Sequence, residues 1–273
     1  MRKLHELSQE EVLEIIENRL SKIPEREILL KYKISSRQYS NLLKQNGIKR
    51  NFKISKYKFN ENYFEIIDTE DKAYFLGFIV ADGSVNSTSN VVQITQKAPY
   101  ILNEFKRYID YEGDVIKTKS RTTYDIKVSS FKMKQDLIKI GIVNNKTRII
   151  KYPSIPVDLE SHFMRGVFDG DGCISLRTDK RDNQQRGQFN ICSGSLEFIQ
   201  EYYNRLVKYC DLSGKNKIRC PKGSYYVIDW GGLSDIEKIY DFLYKDATVY
   251  LRRKKETFDA VVSITKNKKK YRK

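Results

Sequence analysis

Lys72-Ala-Tyr-Phe-Leu-Gly-Phe-Ile-Val-Ala-Asp-Gly-Ser84 decides how this chain reads, because Ser161-His-Phe-Met-Arg-Gly-Val-Phe-Asp-Gly-Asp-Gly-Cys173 repeats its pattern. Each is an apolar run with a glycine in the middle, followed by a small residue, Asp and Gly. Gly77 matches Gly166, Ala81 matches Gly170, Asp82 matches Asp171 and Gly83 matches Gly172, at a constant offset of 89 residues, as from 82 to 171. A segment apolar on nearly every side suits a helix buried against another helix. Gly77 with Ala81, and Gly166 with Gly170, are small residues four apart, so each pair shares a helix face that lets a partner backbone come close. Gly83 and Gly172 then stop the helices. That leaves Asp82 and Asp171 at C-terminal ends, where the macrodipole disfavours a carboxylate, so local stability does not account for them. Parallel packing would bring the two carboxylates together. Like charges at short range need a proton or a cation between them, and a hard divalent ion with oxygen ligands, such as Mg²⁺, meets that need.

One Ala-Asp-Gly is ordinary turn chemistry; two copies, each ending an apolar run with matched small residues, are not. Phe75-Leu-Gly-Phe-Ile-Val-Ala-Asp-Gly83 and Met164-Arg-Gly-Val-Phe-Asp-Gly-Asp-Gly172 resemble the two signature helices of the LAGLIDADG homing endonucleases. The first copy has Val80 where the family name has its earlier acid and the second has Asp169; the later acid is intact in both. The resemblance implies a site-specific enzyme that cuts both strands of double-stranded DNA across the minor groove, leaving short 3′ overhangs. It implies metal ligation by Asp82 and Asp171, with the main-chain carbonyls of Ala81 and Gly170 as further ligands. The implied cofactor is Mg²⁺, with Mn²⁺ or Ca²⁺ able to take the same site and Ca²⁺ giving no turnover. Gln93-Ile-Thr-Gln-Lys97 is similar to a strand-end motif of the family whose second glutamine orders water near the scissile phosphate, a role that falls to Gln96. Asn190-Ile-Cys-Ser-Gly194 puts Ser193 at that place in the second half. Asn145-Lys-Thr147 and Arg253-Lys-Lys255 follow the last helix of each half, where the family often keeps a lysine near the cleavage centre, which points to Lys146 and Lys254.

Composition agrees with a polyanionic partner. Lys and Arg number 51 against 35 acids, a net charge of +16, and residues 251–273 hold ten basic residues against Glu256 and Asp259. Cys173, Cys192, Cys210 and Cys220 are too far apart for a zinc pattern and read as free thiols of an intracellular, soluble protein. With His5 and His162 the only histidines, a His-rich metal site and a histidine general base are both disfavoured. No apolar run is long enough to span a bilayer, and the N-terminus lacks the hydrophobic core of a signal sequence. A single chain holding both halves is expected to act as a monomer.

The rest of the chain reads as a frame around the repeat. Ser8 with Glu11 forms a capping-box pattern ahead of Val12, Ile15, Ile16 and Leu20. Further helices fit residues 25–32 and 36–46, a helix-turn-helix-like unit with Arg37, Gln38, Asn41 and Lys44 along the exposed face of its would-be recognition helix. After each signature helix the order hairpin, helix, hairpin, helix follows, with strands expected at 113–118, 123–129, 174–178, 188–192, 215–220 and 225–230. The expected class is therefore α+β: a helical DNA-binding unit over 1–50, a linker over 51–68, pseudo-symmetric αββαββα halves over 69–155 and 156–262, and a basic tail over 263–273. In the family the strands form curved antiparallel sheets that lie along the DNA. Gln93, Lys117, Lys119, Arg121 and Lys127 in one half, and Arg177, Arg186, Gln188, Asn190, Lys217, Arg219 and Lys222 in the other, are the residue types such a face shows, since Arg and Lys read guanine and Asn and Gln read adenine. Two other classes stay open: an RNA-binding maturase on the same fold that helps an intron splice, and a DNA-binding regulator whose nuclease centre has died. Loss of an acidic ligand would favour either, and both acids are present. The start at Met1 and an end without a His-Asn terminus speak against an endonuclease nested in an intein.

Overall fold

The computed structural model describes residues 2–21, 23–46, 48, 56–86, 89–118, 121–178, 183, 185–221 and 223–270. Lys119 and Lys222 lie outside them. In the N-terminal unit Ser8 Oγ accepts the Glu11 N–H at 3.1 Å while Glu11 accepts the Ser8 N–H at 2.9 Å, which satisfies two otherwise unpaired donors at the start of α1 (Gln9–Leu20). Lys33, with φ at 53°, ends α2 (Glu25–Tyr32), and α3 (Ser36–Gln45) begins with a second capping box, Ser35 with Gln38. Ile15, Ile28, Tyr39, Leu42 and Leu43 give these helices a core of their own, and Phe131 from the main body packs against it.

The main body follows in two turns of one pattern. The first is α4 (Glu70–Asp82), β1 (Gly83–Val85), β2 (Val91–Gln96), α5 (Pro99–Tyr108), β3 (Ile116–Lys117), β4 (Tyr124–Ser129) and α6 (Phe131–Lys139), with an antiparallel sheet in the order β1-β2-β4-β3. The second is α7 (Glu160–Asp171), β5 (Gly172–Thr178), β6 (Gln185–Ser193), α8 (Leu196–Tyr209), β7 (Tyr226–Trp230) and α9 (Leu233–Tyr244), with a sheet in the order β5-β6-β7. The expected strand over 215–220 shrinks to one bridge between Arg219 and Val227. Ile218 is its only aliphatic residue, so the stretch has little to bury, and the Asn216 side-chain amide takes the Asp229 carbonyl that a paired strand would otherwise use. Nor does the C-terminal stretch begin as a separate tail at 263, because α10 (Arg252–Lys270) runs through that boundary. No helix of the described residues is long and apolar enough to cross a membrane.

α4 and α7 cross where their glycines meet. A Cβ on Gly77 would lie 2.1 Å from the Phe163 carbonyl oxygen, and one on Gly166 would lie 2.0 Å from that of Tyr74. Each glycine thus rests on the partner's backbone, and the two contacts exchange under the 89-residue offset. One turn further on, a Cβ on Gly170 would meet Ala81 at 2.2 Å. The helices are therefore parallel, related by a pseudo-twofold axis, and end at the same place. Phe75, Phe78, Met164 and Phe168 are buried around the crossing, and α4 is apolar from Ala73 to Val80, whereas α7 also buries Arg165 and Asp169.

Both sheets bury one face in the shared core. Val92 and Ile94 of β2 pair with Val128 and Ile126 of β4, and Phe189 and Ile191 of β6 pair with Trp230 and Ile228 of β7. The alternate residues therefore line the opposite face. In the first sheet these are Gln93, Thr95, Asp125 and Lys127; in the second they include Ser175, Arg177, Arg186, Gln188, Asn190 and Asp229.

Candidate active site

Gln96 is the last residue of β2 and faces Tyr124; Ser193 is the last of β6 and faces Tyr226. That shared register makes the two positions counterparts, but they are used differently. Gln96 is buried, and its Nε2 donates to Asp82 Oδ2 at 2.6 Å while its Oε1 accepts the Lys97 N–H at 2.8 Å. Ser193 Oγ instead accepts the Ser195 N–H at 3.2 Å. Among the described residues no side-chain hydrogen bond reaches the Asp171 carboxylate.

The two lysines also correspond. Lys146 Nζ donates to the Gly83 carbonyl, and Lys254 Nζ donates to those of Phe168 at 2.6 Å and Gly172 at 2.5 Å, with Gly170 O further off at 3.4 Å. Gly83 and Gly172 are repeat partners, so each ammonium is held at the end of one signature helix, where the unsatisfied carbonyls favour a cation. Both lysines are buried. Burial pushes Lys254 down to about 8 and lowers Lys146, against the pull of nearby carboxylates in each case. Burial also raises Asp82, opposed by Lys254 and the Gln96 hydrogen bond. Asp171 rises to about 6, first through burial and then through the negative charge of Asp82.

A Cβ on Gly170 would lie 3.3 Å from Asp82 Oδ2, so the Asp82 carboxylate reaches the end of α7 beside Asp171. With main-chain carbonyls at the helix ends the two carboxylates offer a donor set rich in oxygen, which suits a hard divalent ion. Among the described residues no third His, Cys, Asp or Glu joins them in a cluster able to hold a metal. An ion there would need carbonyl, water and substrate oxygens to complete its shell.

Asp82 opens on a cavity of about 590 Å³ lined by Thr95, Gln96, Lys97, Thr123, Gly170 and Arg253. Lys97, Thr123 and Arg253 in this wall went unassigned in the sequence. Arg253 reaches the site because residues 248–252 are strapped across the helix pair. Glu70 accepts the Thr248 N–H at 2.7 Å and the Arg165 guanidinium at 2.6 Å, and Arg165, itself buried, also holds the Leu243 and Val249 carbonyls. Asp169 lies beneath the strap, fully buried, accepting from Tyr74 OH at 2.9 Å, Tyr244 OH at 2.7 Å and the Leu251 N–H at 2.7 Å. Asp169 therefore anchors the start of α10, which carries Lys254.

The expected DNA-reading residues fall into groups. Gln93 pairs with Lys127 across the first sheet, Arg177 lies directly opposite Arg186 in the second, and Asn190 pairs with Asp229. Two arginines face to face repel each other unless an anion joins them. Arg219 is exposed and ion-paired to Asp229, whose Oδ1 also accepts from Gln188 Nε2 at 3.2 Å. Lys217 and Arg121 are exposed. Lys117 is exposed too, but its register opposite Tyr124 sets it on the other face from Gln93 and Lys127. Arg37, Asn41 and Lys44 are exposed on one face of α3, whereas Gln38 turns inward: its amide caps Ser35 and donates to the Arg2 carbonyl at 2.7 Å. A side chain so committed is not free to read a base.

No protein-family model matches the chain. Its fold is that of the LAGLIDADG homing endonucleases. The I-LtrWI enzyme bound to target DNA superposes with a TM-score of 0.52 at 13% identity, over 77% of this chain and 92% of that one. I-GzeII in complex with its DNA target gives 0.53 at 15%, over 72% and 91%, and I-SmaMI bound to cleaved DNA gives 0.53 at 15%, over 74% and 91%. In sequence, the chain is 23% identical over 210 residues to a probable translation initiation factor IF-2 of Methanocaldococcus jannaschii. That match takes in 72% of this chain but only 16% of the length of that protein.

Proposed function

We propose that this protein is a site-specific, divalent-metal-dependent endonuclease acting on double-stranded DNA as a single chain. The observation that carries the reading is the pair Asp82 and Asp171, at the matching ends of parallel helices whose glycines pack backbone on backbone. Solved structures of the same fold bound to DNA support it, as does the net charge of +16.

Asp82 and Asp171, with the carbonyls of Ala81 and Gly170, would hold Mg²⁺. An ion held there would supply charge neutralisation at the phosphoryl oxygens and a more acidic attacking water. Gln96, fixed to Asp82, orients water for in-line attack on one strand, and Ser193 is its shorter counterpart on the other. Lys146 and Lys254 add positive charge beside the helix ends. Gln93 and Lys127, with the second-sheet residues from Arg177 to Arg219, line the DNA-reading surface, and Arg37, Asn41 and Lys44 of α3 extend it.

Selection of cleaved sites from a random DNA library in Mg²⁺ tests this directly. One long, partly asymmetric site cut on both strands is expected; an unenriched library would sink the reading. Removing residues 1–50 should then weaken binding and lower the log-log salt slope by about 0.9 for each phosphate no longer neutralised. An unchanged slope and footprint would take α3 off the DNA.

A further inference from the structure

The cavity beside Asp82 holds two cations that the proposed chemistry has not used. Arg253 and Lys97 both line it; both are exposed, and among the described residues no hydrogen bond or ion pair holds either side-chain head. Some exposed cations elsewhere in the chain do find carboxylates, as Arg219 finds Asp229 and Lys127 finds Asp125. Arg253 lines the same cavity wall as Asp82 and Gln96. It is also placed with care. The Arg252 N–H donates to Tyr100 OH, and the Arg252 guanidinium stacks at 4.6 Å over the same ring, so α5 of the first half fixes the residue just before Arg253. Lys254, the residue just after it, is buried and tied to the end of α7. The backbone is thus pinned on both sides of Arg253, and a residue from the C-terminal segment of the second half is delivered into the pocket of the first.

The second half has no such pair. The repeat partner of Gln96-Lys97 is Ser193-Gly194, and a Cβ on Gly194 would lie 2.7 Å from the Thr147 carbonyl oxygen, so no side chain fits there. The residue before Lys146, which corresponds to Arg253 before Lys254, is Asn145, in the left-handed region at φ 56°.

We propose that Arg253 and Lys97 form a phosphoryl-oxygen clamp that serves one strand only: Arg253 and Lys97 donate to non-bridging oxygens of the scissile phosphate that lies against Asp82 and Gln96. The pairing rests on the nuclease reading above. A guanidinium offers two parallel donors to such a group and an ammonium a point charge. Fixed donors aimed at charge that builds up during reaction act where water is displaced, and losing one costs on the order of 10²-fold in rate.

The test uses the full-length protein and a selected target labelled on each strand, the strand that Gln96→Ser slows most being taken as the first-half strand. Arg253→Gln should slow that strand by about 100-fold and the other by less than about threefold, with Lys97→Gln acting in the same sense and Arg253→Lys recovering part of the rate. In parallel, ethylating single phosphates of the target should show one central phosphate whose modification weakens metal-free binding of the parent but no longer weakens binding of the Arg253→Gln, Lys97→Gln double variant. Equal slowing of both strands, slowing of the other strand, or an ethylation pattern unchanged by the double variant overturns the clamp and leaves the nuclease reading intact. A parent that binds the target and shows the phosphate effect without cutting it sinks the nuclease reading but keeps the clamp. A parent that binds no DNA removes both.

Discussion

The two halves share a frame and differ in how they fill it. At the helix crossing they exchange residue for residue: Gly77 against Phe163 and Gly166 against Tyr74, with Lys146 and Lys254 capping the ends in the same way. Away from the crossing the likeness lapses. Leu76 and Val80 of α4 correspond to Arg165 and Asp169 of α7, so the first half is apolar where the second carries a buried polar network. That network faces the strap of residues 248–252 and satisfies buried backbone groups there. Symmetry is thus kept where two backbones touch and where carboxylates converge, and lost where one chain end must be tied down. The same loss makes the two centres unequal.

The symmetric part gives the largest effects. Asp82→Asn and Asp171→Asn should each reduce Mg²⁺-dependent cleavage at least about a thousandfold, since several kcal/mol of charge stabilisation are lost at tenfold per 1.36 kcal/mol. Specific binding in metal-free buffer should survive. Near-normal cleavage by either variant would mean that the carboxylates do not act as a pair.

Next comes the crossing itself. Gly166→Ala puts a methyl 2.0 Å from the Tyr74 carbonyl, and backbone can yield only by parting the helices, so destabilisation of about 3 kcal/mol or more is expected. Gly77→Ala should match it, because the contacts are equivalent. Chemical denaturation of both variants checks this, and a difference above about 1 kcal/mol would show that the pseudo-twofold is not energetic.

This crossing was legible in the sequence because it is built from residues four apart, read twice. Gln96 and the two lysines were legible only through family resemblance to short motifs. The strap was not, since Thr248 and Glu70 are 178 residues apart and nothing local marks either. Arg253 was hidden for the same reason: in sequence it is one cation of a basic run, and only the fixing of Arg252 on Tyr100 gives it a place. Gln38 misled because its spacing on α3 suits both an outward face and an N-terminal cap, and the cap won. The strand expected at 215–220 failed because alternation of polar and apolar residues cannot report that a side chain, Asn216, will occupy the ladder.

A smaller effect should appear when the unequal centres are made alike. Gln96 holds its amide against Asp82, while Ser193 is turned to its own backbone, so positioning of water on the second side should be poorer by about tenfold per 1.4 kcal/mol. A nicked intermediate, mostly in one strand, should build up early. Ser193→Gln should narrow the difference and Gln96→Ser should shrink or reverse it, as time courses on strand-labelled DNA will show. Equal rates in the parent, or a ratio that neither variant moves, would count against this account of the difference.

The smallest expected effect separates the two carboxylates by pH. In metal-free protein the folded state keeps a proton on Asp171 up to about pH 6, whereas the unfolded chain loses it near pH 4. Between those values the folded state binds more protons, so this group's contribution to stability is present at the acid end and is lost as pH rises through 6. The contribution is isolated by subtracting the melting curve of Asp171→Asn from that of the parent at each pH from 4 to 7, and it should fall across that window by a few degrees, at about 2–4 °C per kcal/mol for a chain of this size. Asp82→Asn removes the negative charge that is the second cause of the shift, so the window should narrow from its upper edge. Mg²⁺ competes with the proton, and its stabilising effect should be larger at pH 7 than at pH 5. A flat difference curve, or a Mg²⁺ effect that ignores pH, would show that Asp171 does not feel Asp82 and that the two helix ends do not share one site.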